Sequence, residues 1–590
     1  MNKKYDNLRI NFYFLFILAA TAVISYNLFI LTYVRHYSYL RTSEAQNQNI
    51  SNILARGNIY LGEHLAATNK KFPLVYMIPA EIDIQKSDKI AEQASIVLGV
   101  DKDGVKKIID SRSDKFKVLV RKISNKQVDA IKALKIKGIN VTYEIDRYYP
   151  GDYLASNVLG FLGYGSLPGQ GDKKSGQYGI EVFYDDDLSG KRLRREARAE
   201  PGLRRGIGDY IVGSETLNFI SRVFKRSKTE NTYDEEIDRP ADIVLTIDNN
   251  IQQIAEDKLD ALMNKLEAAG GTIIIQNPNT GKILAMADRP TFDPNNYSEY
   301  EPRNFLNRGV QEIFEPGSSF KPITMAMGLD LGVIMPQTTF KDEGFREIAG
   351  YKIKNFSERV FGTVTMLQVL EKSVNTGAMY VQDRVGDDSF LDYIINFGFG
   401  QKTGLDLPGE VNGDITNLYS GRKINFLTSS FGQGIAVTPI QLINAYSAIA
   451  NGGKLMRPYV VEKVIKEGGK EEVTQPEIVA IPISEKTATK LKSMLVSVVD
   501  NGFDKARISG YDIAGKTGTA QIPDGRGGYL ENKYIHDFVG FAPALDPKFV
   551  ILIKIDRPEG ITFAADSLSP TFKEITQYLL NYYAIPPTRR

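Results

Sequence analysis

From Phe12 to Val34 the chain runs 23 residues without a formal charge, FYFLFILAATAVISYNLFILTYV. As a helix rising about 1.5 Å per residue, such a run is about 35 Å long, enough to cross a hydrocarbon core of about 30 Å. It therefore predicts a single-pass anchor. A cleaved leader would have a shorter apolar core and a small-residue site just beyond it, whereas Ala19, Ala20 and Ala22 lie mid-segment. Lys3, Lys4 and Arg9 precede the run, and Arg35 and Arg41 follow it, a bias that favours a cytoplasmic N-terminus. The remainder of the chain then lies outside the cytoplasm, in one extracytoplasmic body.

That body is ordinary globular material: 42% hydrophobic and 24% charged residues in a chain of 590. At roughly 100–200 residues per domain, the length predicts two to four domains. The net charge of +2, from 73 basic and 71 acidic residues, argues against a nucleic-acid binder acting through bulk charge. The absence of cysteine excludes disulfides, zinc–thiolate sites, iron–sulfur clusters and cysteine nucleophiles. Only His36, His64 and His536 occur, far apart, so no histidine-rich metal site is expected.

Texture divides the chain into an anchor (1–36), a mixed region (37–240) and a third region (241–590). The second holds short apolar runs between glycine-rich turns and a charged stretch at 191–239, containing KRLRREARAEPGLRRG. A stretch so charged suits a solvated insertion or a docking surface for a partner or an anionic polymer. In the third region, Ile243–Ile247 reads as a strand and Asn250–Leu266 as an amphipathic helix. Thr272–Gln276 and Lys282–Ala287 form a hairpin. The part from about 320 to 450 reads as mostly helix and loop. Strands follow at Gly515–Ile522, Phe538–Pro543 and Phe549–Ile555, and a closing helix at Pro570–Tyr583. Strands at both ends with helices between predict an α+β domain whose one sheet is completed by distant segments.

The candidate chemistry begins at Glu315-Pro316-Gly317-Ser318-Ser319-Phe320-Lys321-Pro322. An apolar helical pattern continues from Ile323. Because proline is tolerated only in a helix's first turn, Pro322 places the helix start near Ser318. Residues three apart share a helix face, so the Lys321 amine can reach the Ser318 hydroxyl. A serine needs an adjacent base, and a lysine kept neutral by desolvation or a nearby cation can serve. Ser373-Val374-Asn375 follows in a helix-and-loop context, then Lys516-Thr517-Gly518-Thr519 on an expected edge strand. Two look-alikes, Ser420–Lys423 and Lys402-Thr403-Gly404, read as surface loop. An ordered S-x-x-K, S-x-N and K-T-G trio serves acyl transfer in serine penicillin-binding proteins and class A β-lactamases. In that chemistry Ser318 attacks a carbonyl and Lys321 takes its proton. Ser373 relays a proton to the leaving amine, and Asn375 holds the substrate amide and the lysine. Lys516, Thr517 and Thr519 contact a substrate carboxylate, and the backbone N–H groups of Ser318 and Thr519 receive the oxyanion.

Beyond these motifs the sequence resembles the class B penicillin-binding proteins, monofunctional D,D-transpeptidases of bacterial cell-wall synthesis. RGNI at Arg56–Ile59, RYYP at Arg147–Pro150, VLGF at Val158–Phe161 and GIE at Gly179–Glu181 are similar to family segments in the first half. In the second half LTIDNNIQ, IQNPNTGKILAMA, NRGVQEIFEPGSSFKP, FGFGQKTGLDLPGE, FGQGIAVTPIQL and KTGTAQ are similar. One departure is Tyr60-Leu61-Gly62-Glu63, where the family carries D-R-N-G; it bears on partner contacts. The resemblance implies a membrane anchor, an elongated pedestal, and a penicillin-recognising domain with a central antiparallel sheet flanked by helices. It implies a stem peptide ending in D-Ala-D-Ala as substrate, acylation of Ser318 by β-lactams, and substrate contacts from Thr517, Gly518 and Thr519. It implies a SEDS-type glycosyltransferase and septal or elongation membrane proteins as partners, and no cofactor or metal. The S-x-N form and FGQGIAVTPIQL lean toward the division-type branch over the elongation type.

Two other readings use the same residues. A β-lactamase or D,D-carboxypeptidase would hydrolyse the acyl-enzyme, but no E-x-x-L-N segment of the class A β-lactamases lies between Asn375 and Lys516. The second is a non-catalytic sensor or scaffold that binds β-lactam or a divisome partner; the family's sensors signal into the cytoplasm, and only about ten residues precede the anchor. His536, just before an expected strand, reads as packing or edge polarity ahead of catalysis.

Overall fold

The computed structural model describes residues 56–112, 116–164, 174–192, 236–237, 239–348, 350–525 and 528–589. The apolar run Phe12–Val34 and nearly all of the charged stretch 191–239 lie outside the described residues. Among the described residues, no helix is long and apolar enough to cross a membrane.

The chain divides into two compact units. The smaller contains Asn69–Asp146. Its helices Ser87–Leu98, Lys102–Ser111 and Asn125–Ala133 bury Ala91, Ala94, Val105, Ile109, Val128 and Ile131 in one apolar cluster with Val75 and Met77. Local signals set the helix ends. Ser124 and Gln127 form a reciprocal capping box, and Gly99 closes the first helix in a left-handed conformation.

The larger unit, Gly57–Thr68 with Arg147 onward, is built on a five-stranded sheet. Its elements in chain order are α1 (Asn249–Leu266), β1 (Gly270–Gln276), β2 (Ile283–Arg289), α2 (Lys321–Asp330), α3 (Met366–Glu371), α4 (Asn375–Val385), α5 (Pro439–Ala450), α6 (Glu485–Asn501), β3 (Ala514–Pro523), β4 (Tyr529–Ala542), β5 (Phe549–Asp556) and α7 (Ser569–Tyr582). The strand order is β2-β1-β5-β4-β3, and every neighbouring pair is antiparallel. The inner strands are buried on both faces, which is why TIIIQ and FVILIKI read as unbroken apolar runs. Gln276 bonds Asn444 and Ser447 of α5 on one face. On the other, Gly271 faces Leu259 of α1, and Phe538 stacks on Phe572 of α7 with centroids 4.2 Å apart. The α+β expectation and the pairing of distant strands are both realised.

A buried ion pair organises the first part of this unit. Arg147 Nε donates to Glu181 Oε1 (2.7 Å) and Nη1 to the Gly57 carbonyl (2.7 Å), while the Tyr149 hydroxyl donates to the same carboxylate (3.1 Å).

The 320–450 segment is mostly helix and loop, as expected, and also holds two short strand pairs: Thr339–Asp342 with Gly362–Thr365, and Phe345–Ile348 with Tyr351–Lys354. These four-residue strands are largely exposed and polar, so they carry no apolar run. β4 begins at Tyr529, well before Phe538. Its first half is largely solvated without an alternating pattern, and pairing with Ala520, Gln521 and Pro523 of β3 makes it a strand.

Candidate active site

Ser318 lies in a 3-10 turn, Gly317–Phe320, that runs directly into α2. Pro322 occupies the first turn of α2, where its missing N–H has no intrahelical role. From Lys321 to Leu329 every residue of α2 is buried, so the turn cannot shift without disturbing the core. Gly317 has φ 56° and an ideal Cβ there would stand 3.0 Å from the Thr519 carbonyl, so glycine lets the turn lie against β3. The Tyr446 hydroxyl donates to the Ser319 carbonyl (2.6 Å), and Gly317 N to the Gly432 carbonyl (2.9 Å).

Lys321 Nζ has four oxygen neighbours. It donates to the Ser373 carbonyl (2.6 Å) and Asn375 Oδ1 (2.8 Å), and lies 3.0 Å from Ser318 Oγ and 3.1 Å from Ser373 Oγ. Two of these partners accept only. A neutral amine has two N–H groups and one lone pair. Giving both N–H groups to the two carbonyl-type oxygens leaves the lone pair toward the hydroxyls, the geometry a base requires. Burial, reinforced by the Lys516 ammonium, pushes Lys321 well below the ordinary lysine value.

Ser373 sits between α3 and α4 with φ 56°, a left-handed conformation costing on the order of 1 kcal/mol for a residue bearing a Cβ. That turn places both its carbonyl and its hydroxyl on Lys321. α4 is anchored in turn by a buried carboxylate that sequence reasoning missed: Asp342 accepts from Thr376 Oγ1 (2.6 Å), Gly344 N (2.9 Å) and Phe361 N (2.8 Å).

Lys516 projects from β3, the edge of the sheet. Its Nζ donates to Ser373 Oγ (3.1 Å) and the Thr517 carbonyl (3.1 Å), and lies 5.3 Å from the centroid of the Phe503 ring. Burial lowers it to about 7 against the upward pull of Asp537. Ser318, Ser373, Asn375, Lys516, Thr517 and Thr519 line one cleft of about 530 Å³, with Phe356 and Phe563 packed edge to face at its rim. Gly518 turns inward: an ideal Cβ there would stand 2.0 Å from Asp537 Oδ2. All eight residues singled out in the sequence therefore lie in or directly behind this cleft.

The look-alikes lie elsewhere in bonding terms. Thr403 and Gly404 are capped by Glu410, and Lys423 Nζ is held by Gln382 (2.8 Å), Asp387 (2.7 Å) and Asp383 (3.2 Å). Contrary to the surface-loop expectation, Lys423 opens a short helix, Lys423–Ser429, because Phe426 and Leu427 bury behind it. Among the described residues, no group of three or more histidine or acidic side chains is set to hold a metal.

His536 is fully buried, with Nδ1 on Ser567 Oγ (2.9 Å) and Nε2 on the Thr562 carbonyl (3.1 Å). Burial lowers it from 6.5 to about 4. Its folded-state value lies below the unfolded one, so the unfolded chain binds the proton first as pH falls. Stability is full above pH 6.5 and is lost between 6.5 and 4, by up to about 3 kcal/mol. Urea unfolding of His536→Gln should therefore show a shallower loss over that window; an unchanged slope would assign the acid sensitivity elsewhere.

An antiparallel sheet between helical layers, with a cleft serine on a buried lysine that faces an edge-strand lysine, defines the scaffold of a serine acyltransferase. The Penicillin binding protein transpeptidase domain matches residues 271–577, and the Penicillin-binding Protein dimerisation domain matches 53–201. The chain belongs to the penicillin-binding protein transpeptidase family. It is 35% identical over 532 residues to stage V sporulation protein D of Bacillus subtilis, covering 89% of this chain and 77% of that one. It is 30% identical over 476 residues to the peptidoglycan D,D-transpeptidase FtsI of Escherichia coli, covering 80% and 73%. The fold is similar to that of penicillin-binding protein 3 from Mycobacterium tuberculosis in its apo form, with a TM-score of 0.63 and 27% identity over 76% of this chain and 93% of that one.

Proposed function

We propose that this protein is a peptidoglycan D,D-transpeptidase, cross-linking stem peptides through an acyl-enzyme on Ser318 and inhibited by β-lactams. The observation that carries the reading is the Lys321 amine, 3.0 Å from Ser318 Oγ with two acceptor-only partners on its other side. Ser318 Oγ bonds to the carbonyl carbon of the penultimate D-alanine, and its proton passes to Lys321. The oxyanion rests on the N–H groups of Ser318 and Thr519. The C–N bond then breaks, and the Ser373 hydroxyl, 3.1 Å from each lysine, relays a proton to the departing D-alanine amine. An amine from a second stem peptide attacks the ester, its proton leaves by the same relay, and Ser318 is restored. Asn375 holds Lys321 and the substrate amide. Lys516, Thr517 and Thr519 meet the terminal carboxylate, and Gly518 lets β3 lie close to its neighbours.

In this reading residues 1–36 form a cytoplasmic tail and membrane anchor, 37–240 a non-catalytic pedestal, and 241–590 the transpeptidase domain outside the cytoplasmic membrane. A SEDS-type glycosyltransferase and the septal membrane proteins are its partners, with division favoured over elongation. The test is incubation of the detergent-purified full chain with penicillin, followed by intact mass and peptide mapping. The expected result is one persistent penicilloyl adduct on Ser318. Rapid release of hydrolysed penicillin would make the protein a hydrolase instead.

A further inference from the structure

A polar row crosses the interior of the sheet. Directly opposed positions run from Gly518 on β3 to Asp537 on β4, Lys554 on β5, Thr272 on β1 and Asp288 on β2. Elsewhere in the row each side chain has a partner: Thr272 Oγ1 donates to Asp288 Oδ1 (2.7 Å), leaving Asp288 Oδ2 without one, and Lys554 Nζ donates to Asp556 outside the row (2.5 Å). Asp537 differs. It is fully buried, and both carboxylate oxygens lack a hydrogen-bond partner. Ser319 lies alongside, but its hydroxyl donates to the Pro316 carbonyl (2.9 Å).

The charged and titratable groups facing Asp537 are few. Lys516 is on β3, on the same strand face as Gly518; Lys554 is opposite on β5; Tyr446 approaches from α5. A buried carboxylate without hydrogen bonds costs several kcal/mol, which a neutral side chain of the same shape would avoid. Packing alone does not account for it.

The cleft above supplies a task for that charge. Lys321 and Lys516 both lie 3.1 Å from the single Ser373 hydroxyl. Two ammonium groups so close in a buried site disfavour each other strongly, so the pair retains one proton readily and a second only at a cost. We infer that Asp537 is a positioning residue that holds this shared proton on Lys516 and so leaves Lys321 as the free base. The inference rests on the base role proposed for Lys321. Burial lowers both lysines and raises Asp537 to about 7 against the pull of Lys516 and Lys554, so its charge is developed above neutral pH; that charge raises Lys516, and the Lys516 charge lowers Lys321 further. Gly518 is part of the device, since any Cβ there would displace the carboxylate.

The test is the pH profile of the acylation rate constant, measured on the detergent-purified full chain with a fluorescent penicillin and normalised by active-site titration. In Asp537→Asn the shared proton passes in part to Lys321, so the maximal rate falls, while the acid limb does not rise, because removing an anion stabilises neither ammonium. The alkaline limb moves down as Lys516 loses its proton earlier, and the rate at pH 7 falls about 10-fold. Asp537→Ser, smaller and neutral, gives the same lowered alkaline limb and lower maximum should the amide fail to pack. Superimposable limbs, or a uniform fall in rate at every pH, would overturn the inference. Absence of label on Ser318 in the unmodified protein would instead overturn the proposed function.

Discussion

Lys321→Ala lowers the rate of Ser318 acylation by about 10²–10⁴-fold, the usual contribution of a general base. Lys423→Ala leaves it unchanged. Both lysines lie three residues after a serine, so sequence spacing alone treats them alike. The structure separates them by surroundings. Lys321 is buried among oxygens that consume its N–H groups and leave a lone pair for the nucleophile. Lys423 is instead paired with Asp383 and Asp387 and has no catalytic serine within its bonding partners. Lys321→Arg should fail as completely as the alanine variant, because a guanidinium does not give up its proton in a protein. Fluorescent penicillin labelling with time resolution reads all three; comparable rates in Lys321→Ala and Lys423→Ala would refute the assignment of the base.

Arg147→Ala destabilises the larger unit by about 3–5 kcal/mol, the cost of breaking a buried ion pair from one side. The Glu181 carboxylate would keep the Tyr149 hydroxyl but lose the Arg147 guanidinium, and the Gly57 carbonyl would lose a donor. The cost arises from the charge left behind more than from the contact removed. Exchanging both partners for methionine should therefore recover most of the loss. Thermal unfolding monitored through retention of penicillin binding distinguishes the cases. A double variant as unstable as Arg147→Ala would mean that shape, and not charge, holds this corner.

The serine, lysine and edge-strand motif were legible because each depends on local rules. Pro322 marks a helix start, a three-residue spacing puts two side chains on one face, and the K-T-G stretch sits where a strand is expected. The central strands were legible because burial on both faces makes them continuously apolar. What escaped notice depends on tertiary context. The two hairpins between 339 and 365 are short and polar, and the first half of β4 is a strand only by its pairing. Ser373's left-handed turn gives no signal in its own type, since glycine or asparagine would be the usual occupant. Asp537 carries no motif; its meaning comes from facing Gly518 and Lys516 across strands that no local window relates. The short helix at Lys423 was missed because Phe426 and Leu427 bury only once α4 is in place.

The sheet has a consequence for synthesis. Gln276 pairs with Val550, and Ser373 meets Lys516, so neither the central sheet nor the cleft closes until late segments of the polypeptide are available. Such long-range pairing is slow and leaves sticky strands waiting for their neighbours. A chain halted before Ala514 would own the nucleophile and its base yet lack the wall against which they work. Incomplete polypeptides should thus be inert toward both substrate and antibiotic, and quality control can remove them before any stray acylation occurs.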